Sequence, residues 1–222
     1  MKASEAYERF LMKAERNSVN DGLSTDRGRF IQLYNEASQR FIEYCYEKKN
    51  EDDIRYIQSM LLDSEPISYS FHNENYYAFE LPEDYFEFSN VYGKASKGDC
   101  YNTNIDLFEI KDFNKNIIIS DEFTSPSFEY REAPFTISDN SVKVFTDNNF
   151  SVDNIILTYY RYPKKIKLQN PDNPESQFDD SFDLDFDDKV IDRIISAAVS
   201  GFDINNSSER WQLHNVFAKT EL

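Results

Sequence analysis

Two histidines, His72 and His214, are all that this chain of 222 residues offers for imidazole chemistry. Neither has a cysteine or a second histidine at ligand spacing, so no histidine-based metal site or catalytic triad is expected. His214, three residues after Trp211, reads as a helix-face residue. Cys45 and Cys100 form no C-x-x-C pair, and a reducing cytoplasm during synthesis is their simplest setting. Ser127 and Ser141 lack the G-x-S-x-G elbow that exposes a nucleophile. The chain has five glycines and no G-x-x-x-x-G-K-[ST] or G-x-G-x-x-G loop to cradle phosphates. The alternation Asp183-Leu184-Asp185-Phe186-Asp187 looks like the start of a calcium loop. An EF-hand needs Gly at the sixth position and Glu at the twelfth, where this chain has Asp188 and Ile194. Helix-start carboxylates and a solvated linker explain the run better. Among 41 acidic residues, a carboxylate pair suited to glycoside hydrolysis can be drawn anywhere and so carries no weight. Neither a cofactor nor enzymatic activity is expected.

The densest basic cluster is Arg161, Lys164, Lys165 and Lys167, in a chain of net charge −17. It could contact DNA in a channel. It could instead pair with Asp179, Asp180, Asp183 and Asp185, in the same or a neighbouring subunit. Pairing across subunits needs no exception to the acidic balance and supplies electrostatic complementarity. These eight residues are the candidate inter-subunit contacts. The overall charge argues against a protein that grips phosphates, which takes clustered Lys and Arg. An acidic wall past which DNA slides is compatible with it.

The elements that must position these residues follow from composition and period. The hydrophobic fraction is 40%, and 15 Tyr with 19 Phe supply large apolar surfaces for a core or an interface. The start, MKASEAYERF, shows no apolar signal-peptide core, and no apolar run reaches the ~20 residues of a membrane span. The spacing predicts a helix over 3–16 on Ala6, Phe10 and Ala14. A second helix is capped by Ser24 or Thr25, with Asp26 in its first turn, and carries Phe30, Leu33, Tyr34, Ala37, Phe41, Tyr44 and Cys45 on one face. A third covers about 51–62 on Ile54, Ile57 and Leu61, before Pro66. From Ile67 the period changes to two. Strands are expected over 77–81, 85–91, 107–110, 116–119, 128–130, 135–137, 142–145 and 155–162, with turns at Asp139-Asn140 and Asp147-Asn148-Asn149 and a polar loop over 93–104. Residues 167–186, with Pro171, Pro174 and several Asp, read as a linker or an arm that docks on a neighbour. A helix from about Asp187 carries Val190, Ile191, Ile194, Ile195, Ala198, Val199 and Phe202. A last helix carries Trp211, His214, Phe217 and Ala218. The expected fold is α+β. Helices of 1–66 and 187–222 pack as a bundle around an antiparallel β-rich insert, 67–166, with 167–186 as the linker.

Four phrases then carry a family resemblance. They are Leu81-Pro82-Glu83-Asp84-Tyr85, the stretch from Ser120-Asp121-Glu122-Phe123 through Pro126-Ser127-Phe128-Glu129-Tyr130-Arg131-Glu132-Ala133-Pro134, Tyr159-Tyr160-Arg161-Tyr162-Pro163-Lys164-Lys165-Ile166, and the helix over 188–202. In this order they resemble head-to-tail connector proteins of tailed bacteriophages. These are the adaptor or ring proteins of tail-tubular type below the portal, and the chain looks most like the ring proteins of crAss-like short-tailed phages. The resemblance spans about 24–220 and leaves 1–23 without a role. It implies a homo-oligomeric ring, usually of twelve copies, in the virion neck. The implied partners are the portal, other neck or tail ring proteins, and viral DNA passing without sequence-specific binding. It implies assembly in the host cytoplasm, no enzymatic activity and no membrane. A ring needs two different complementary faces on each subunit.

Two other readings stay open at this stage. One is a soluble ligand- or protein-binding β module with helical decoration, its aromatic groove built from Tyr69, Tyr76, Tyr77 and Tyr85. The other is a metal-dependent hydrolase using only Asp and Glu, which requires a tight divalent-cation site.

Overall fold

The computed structural model describes residues 1–17, 26–48, 51–121, 123–170, 173 and 176–206. In chain order the elements are α1 (Ala3–Asn17), α2 (Arg27–Lys48), α3 (Glu51–Ile57), β1 (Leu61–Asp63), β2 (Ile67–Ser68), β3 (Phe71–His72), β4 (Tyr76–Glu80), β5 (Tyr85–Lys97), β6 (Cys100–Glu109), α4 (Lys115–Ser120), β7 (Glu132–Ser138), β8 (Ser141–Phe145), β9 (Ser151–Arg161) and α5 (Asp188–Asn206). They form two compact units, a helical unit (Met1–Met60 with Tyr162–Leu222) and a sheet unit (Leu61–Arg161).

In the helical unit, α2 starts where Asp26 Oδ1 accepts the Arg29 N–H at 3.1 Å, which makes Asp26 the N-cap. Ser24 and Thr25, expected in that role, lie outside the described residues. The buried side of α2 is Phe30, Tyr34, Ser38, Ile42 and Cys45. The sequence pattern omits Ser38 and Ile42 and favours Leu33, Ala37, Phe41 and Tyr44, which are half-buried along the flank. Ser38 tolerates burial because its hydroxyl donates to the Asn35 carbonyl at 2.9 Å. Phe30 is the centre of an aromatic cluster, its ring 5.2 Å from those of Tyr7 and Phe10 and 5.7 Å from that of Tyr34. Helix α5 buries Val190, Ile191, Ile194, Ile195, Ala198 and Val199, the set predicted from spacing. The Phe202 side chain, and the expected helix around Trp211, His214, Phe217 and Ala218, lie outside the described residues. Helix α3 ends five residues before its expected limit of 62. A 3₁₀ turn at Gln58–Met60 follows, and Leu61 begins β1, where cross-strand pairing of Leu61 with Tyr160 overrides helical register.

The sheet unit is a nine-stranded sheet in the order β1-β9-β5-β6-β7-β8-β4-β3, with β2 also on β9. It curls until β4 comes near β9 and β2. Its core includes Phe79, Phe135, Val142, Val144, Val152, Ile155 and Leu157. A helical bundle with an antiparallel insert is therefore not what this chain forms. The strands make a large curled sheet with its own hydrophobic core, and one pair, β6 with β7, is parallel (Asp106 opposite Glu132, Glu109 opposite Phe135).

Residues 93–104, expected as a loop, are instead the ends of β5 and β6 and the hairpin joining them. The alternation is present but carried by small residues, since Val91, Gly93 and Ala95 point inward. A Cβ on Gly93 would lie 3.0 Å from Ile105 Cγ1, so the site is already filled. Gly98, at φ 56°, makes the two-residue turn between Lys97 and Cys100. Asp139 and Asn140, both at positive φ, make the tight turn between β7 and β8 that the sequence indicates.

Two expected strands are absent. Residues 116–119 lie in α4, and 128–130 lie in a turn closed by the reciprocal pairing of Ser127 and Glu132 at 2.9 and 3.0 Å. Three consecutive isoleucines favour a strand locally. The parallel β6–β7 pair nevertheless requires a crossover, and α4 is part of it.

Candidate interaction sites

Arg161, the last residue of β9, belongs to the sheet unit. The other seven candidate contacts belong to the helical unit. There the segment after Pro163 is fastened to α2. The Ile166 N–H donates to Asn35 Oδ1 at 2.9 Å, and Asn35 Nδ2 donates to the Ile166 carbonyl at 3.1 Å. Ile166 itself is buried. The Lys164 main-chain N–H donates to Asp185 Oδ2 at 2.7 Å, while its ammonium lies over the Phe182 ring, 5.6 Å from the centroid. Lys165 is exposed.

The acidic residues have partners within the same chain. Asp179 donates its N–H to the Lys167 carbonyl at 2.9 Å, and Leu168 bridges to Phe178. The Ser181 hydroxyl and N–H, with a smaller contribution from the Lys167 charge, hold the Asp179 carboxyl below the usual range. Asp180 Oδ1 accepts the Ser4 N–H at 3.1 Å, satisfying an orphan donor in the first turn of α1. Asp183 lies 3.4 Å from Lys2 Nζ. Burial, aided by the Asp185 carboxylate, pushes the Tyr34 phenol well above its ordinary value.

Residues 167–186 do not form a free arm over their described part. Phe178, Leu184 and Phe186 are buried, with the Phe178 ring 5.2 Å from that of Tyr7 and the Phe186 ring 5.7 Å from that of Phe41. The aromatic residues scattered through this acidic stretch are what seat it, a signal that its Asp and Pro content conceals.

The isolated chemical groups have structural surroundings. Ser141 Oγ donates to the Ser138 carbonyl at 2.8 Å, and Ser127 Oγ accepts the Tyr130 N–H at 3.2 Å. Asp187, at the end of the calcium-like run, uses its carbonyl to accept the N–H groups of Val190 and Ile191 at 2.9 Å each. Among the described residues no group of three or more His, Cys, Asp or Glu side chains is placed to hold a metal ion. Cys45 is buried and its thiol is pushed up to about 12, by burial first and by Asp53 second, while Cys100 is exposed. No described helix is long and apolar enough to cross a membrane.

Two surface features of the sheet unit stand apart from these. Tyr69, His72 and Tyr77 form a mutual ring cluster beside β3, with centroids 5.3 Å apart for Tyr69–His72 and for Tyr69–Tyr77, and 5.5 Å for the stacked His72–Tyr77 pair. Tyr85, expected in the same groove, packs 5.9 Å from Tyr159 instead. The second feature is the crossover between β6 and β7. It leaves Phe113, Ile117, Phe123 and Tyr130 outward at 77%, 71%, 90% and 82% exposure. The sequence signal for it was apolar residues without period-two alternation in an Asn-, Asp- and Ser-rich stretch.

No protein-family model matches the chain, and no curated protein matches it.

Proposed function

We propose that the chain is a structural protein of a phage virion neck, a ring component that joins the portal to the tail. The observation that carries this reading is the ordered set of four phrases, at 81–85, 120–134, 159–166 and 188–202, that resembles the connector family. In this reading twelve copies form a homo-oligomeric ring against the portal and against other neck or tail ring proteins. The ring lines the DNA channel, and the −17 charge keeps the duplex from sticking to the wall. The protein assembles in the host cytoplasm and works in the virion without a cofactor and without turnover. Outward apolar side chains on the crossover support a role in assembly. Imaging purified chain mixed with a portal ring tests the reading. End-on views should show an added ring concentric with the portal, and portal particles with no added density would overturn it.

The Tyr69–His72–Tyr77 cluster favours a second reading, a ligand-binding β module. Aromatic faces at a sheet edge suit a sugar or another planar group. A glycan screen that returns a ligand lost in Tyr69→Ala would favour it over the neck reading.

A further inference from the structure

The helical unit is not continuous in sequence. Met1–Met60 supplies α1, α2 and α3, Tyr162–Leu222 supplies α5, and the whole sheet unit stands between them along the chain. Helix α5 packs on both α1 and α2. Arg9 Nη1 donates to Asp192 Oδ1 at 3.2 Å, and Lys13 Nζ donates to the Asp192 carbonyl at 2.8 Å. These bonds, like the Asn35–Ile166 pair, join pieces of chain that the sheet unit separates in sequence. The helical unit therefore holds only while its two pieces are brought together.

The sheet unit has no such dependence. Leu61–Arg161 is one uninterrupted segment with its own core. Its length of about 100 residues is ordinary for a domain that folds alone. Both ends of the segment lie in one strand pair, with Leu61 opposite Tyr160 across β1 and β9. Antiparallel partners stand about 5 Å apart. The folded sheet thus returns the chain to the helical unit beside the point where it left. Once the sheet unfolds, the two helical pieces are joined by a flexible loop of about 100 residues. The cost of closure grows as the three-halves power of loop length, so the helical unit's folding equilibrium falls on the order of a hundredfold.

We propose that the sheet unit is the clasp of the helical unit, and that the protein opens in a fixed order. The helical unit lets go while the sheet stays folded, and the sheet does not unfold beneath a folded helical unit. The chain thereby has a partly open state in which α1, α2 and α5 part while β1 and β9 remain paired. This inference goes beyond the neck reading and does not rest on it.

Amide hydrogen exchange of the full chain in low urea tests it, read by mass spectrometry on peptides from α2, α5, β5 and β9. The parent is compared with Ile194→Val and with Ile155→Val. Ile194 is buried on α5 and Ile155 in the core of the sheet. Each variant loses one methylene, mild enough to keep the fold. Ile194→Val weakens the helical unit, which has to open before helices or strands exchange. It should speed both alike, by roughly 2- to 12-fold. Ile155→Val should speed the strands by a similar factor and leave α2 and α5 at the parent rate, because the helices exchange from a state whose sheet is intact. Strands unmoved by Ile194→Val would show that the units open independently. Faster helices in Ile155→Val would show that the sheet opens with them or before them. Either result overturns the proposal.

Discussion

Asn35 and Ile166 exchange a reciprocal pair of hydrogen bonds, with the Asn35 amide accepting the Ile166 N–H and donating to its carbonyl. One side chain on α2 thus completes the main-chain pairing of a residue 131 positions later. Lys164, Lys165 and Lys167 and the acidic stretch are positioned through this clamp and through the Lys164–Asp185 bond.

Asn35→Ala should therefore cost about 1–3 kcal/mol, because it leaves a partly buried N–H and carbonyl unsatisfied. Urea unfolding measures the loss, and hydrogen exchange should show the Ile166 amide opening first. Stability unchanged within error would mean that water replaces the clamp without loss.

Gly93→Ala should destabilise the sheet unit by about 1–3 kcal/mol, since the added methyl meets Ile105 at 3.0 and 3.3 Å. Pairing it with Ile105→Val should recover part of the loss. Thermal unfolding of the two single variants and the double variant checks the coupling. Strict additivity would show that the contact does not limit packing.

Much of the helical unit was legible because its buried residues are large and regularly spaced, as on α5. The tight turn at Asp139-Asn140 was legible because few residues adopt positive φ readily. The end of β5 was hidden because its inward residues are Gly93 and Ala95, which register as polar or neutral although they form the buried stripe. Ile117 to Ile119 misled through β-branching, since the parallel partner of β6 lies beyond the local window. The buried Ser38 was invisible because its hydrogen bond to Asn35 is a property of the folded helix. The candidate contacts were read as a sequence cluster, yet Asp180, Asp183 and Asp185 already have partners within the chain.

The two thiols should differ sharply. At about pH 8 a thiol reagent should modify Cys100 quickly and Cys45 only after unfolding, because the thiolate is the reactive form. The Cys45 thiol has its pKa raised in the folded state, from 9.0 to about 12. The resulting stability is complete below about pH 9 and is lost as pH rises towards 12. Cys45→Ala should flatten that alkaline decline relative to the parent chain. Rapid native labelling of both cysteines would contradict the burial of Cys45.

Reversing Lys164 and Lys165 to Glu leaves the Lys164 main-chain bond to Asp185 intact. The variant should unfold at nearly the parent temperature but assemble more weakly, if these side chains contact the acidic residues of a neighbouring copy. Calorimetry and sedimentation separate the two effects. Unchanged assembly would remove the lysines from the interface.

The most direct test is the solution mass of the purified chain, alone and mixed with a portal ring. The neck reading predicts a complex carrying many copies of the chain per portal. A strict monomer that ignores the portal would contradict it.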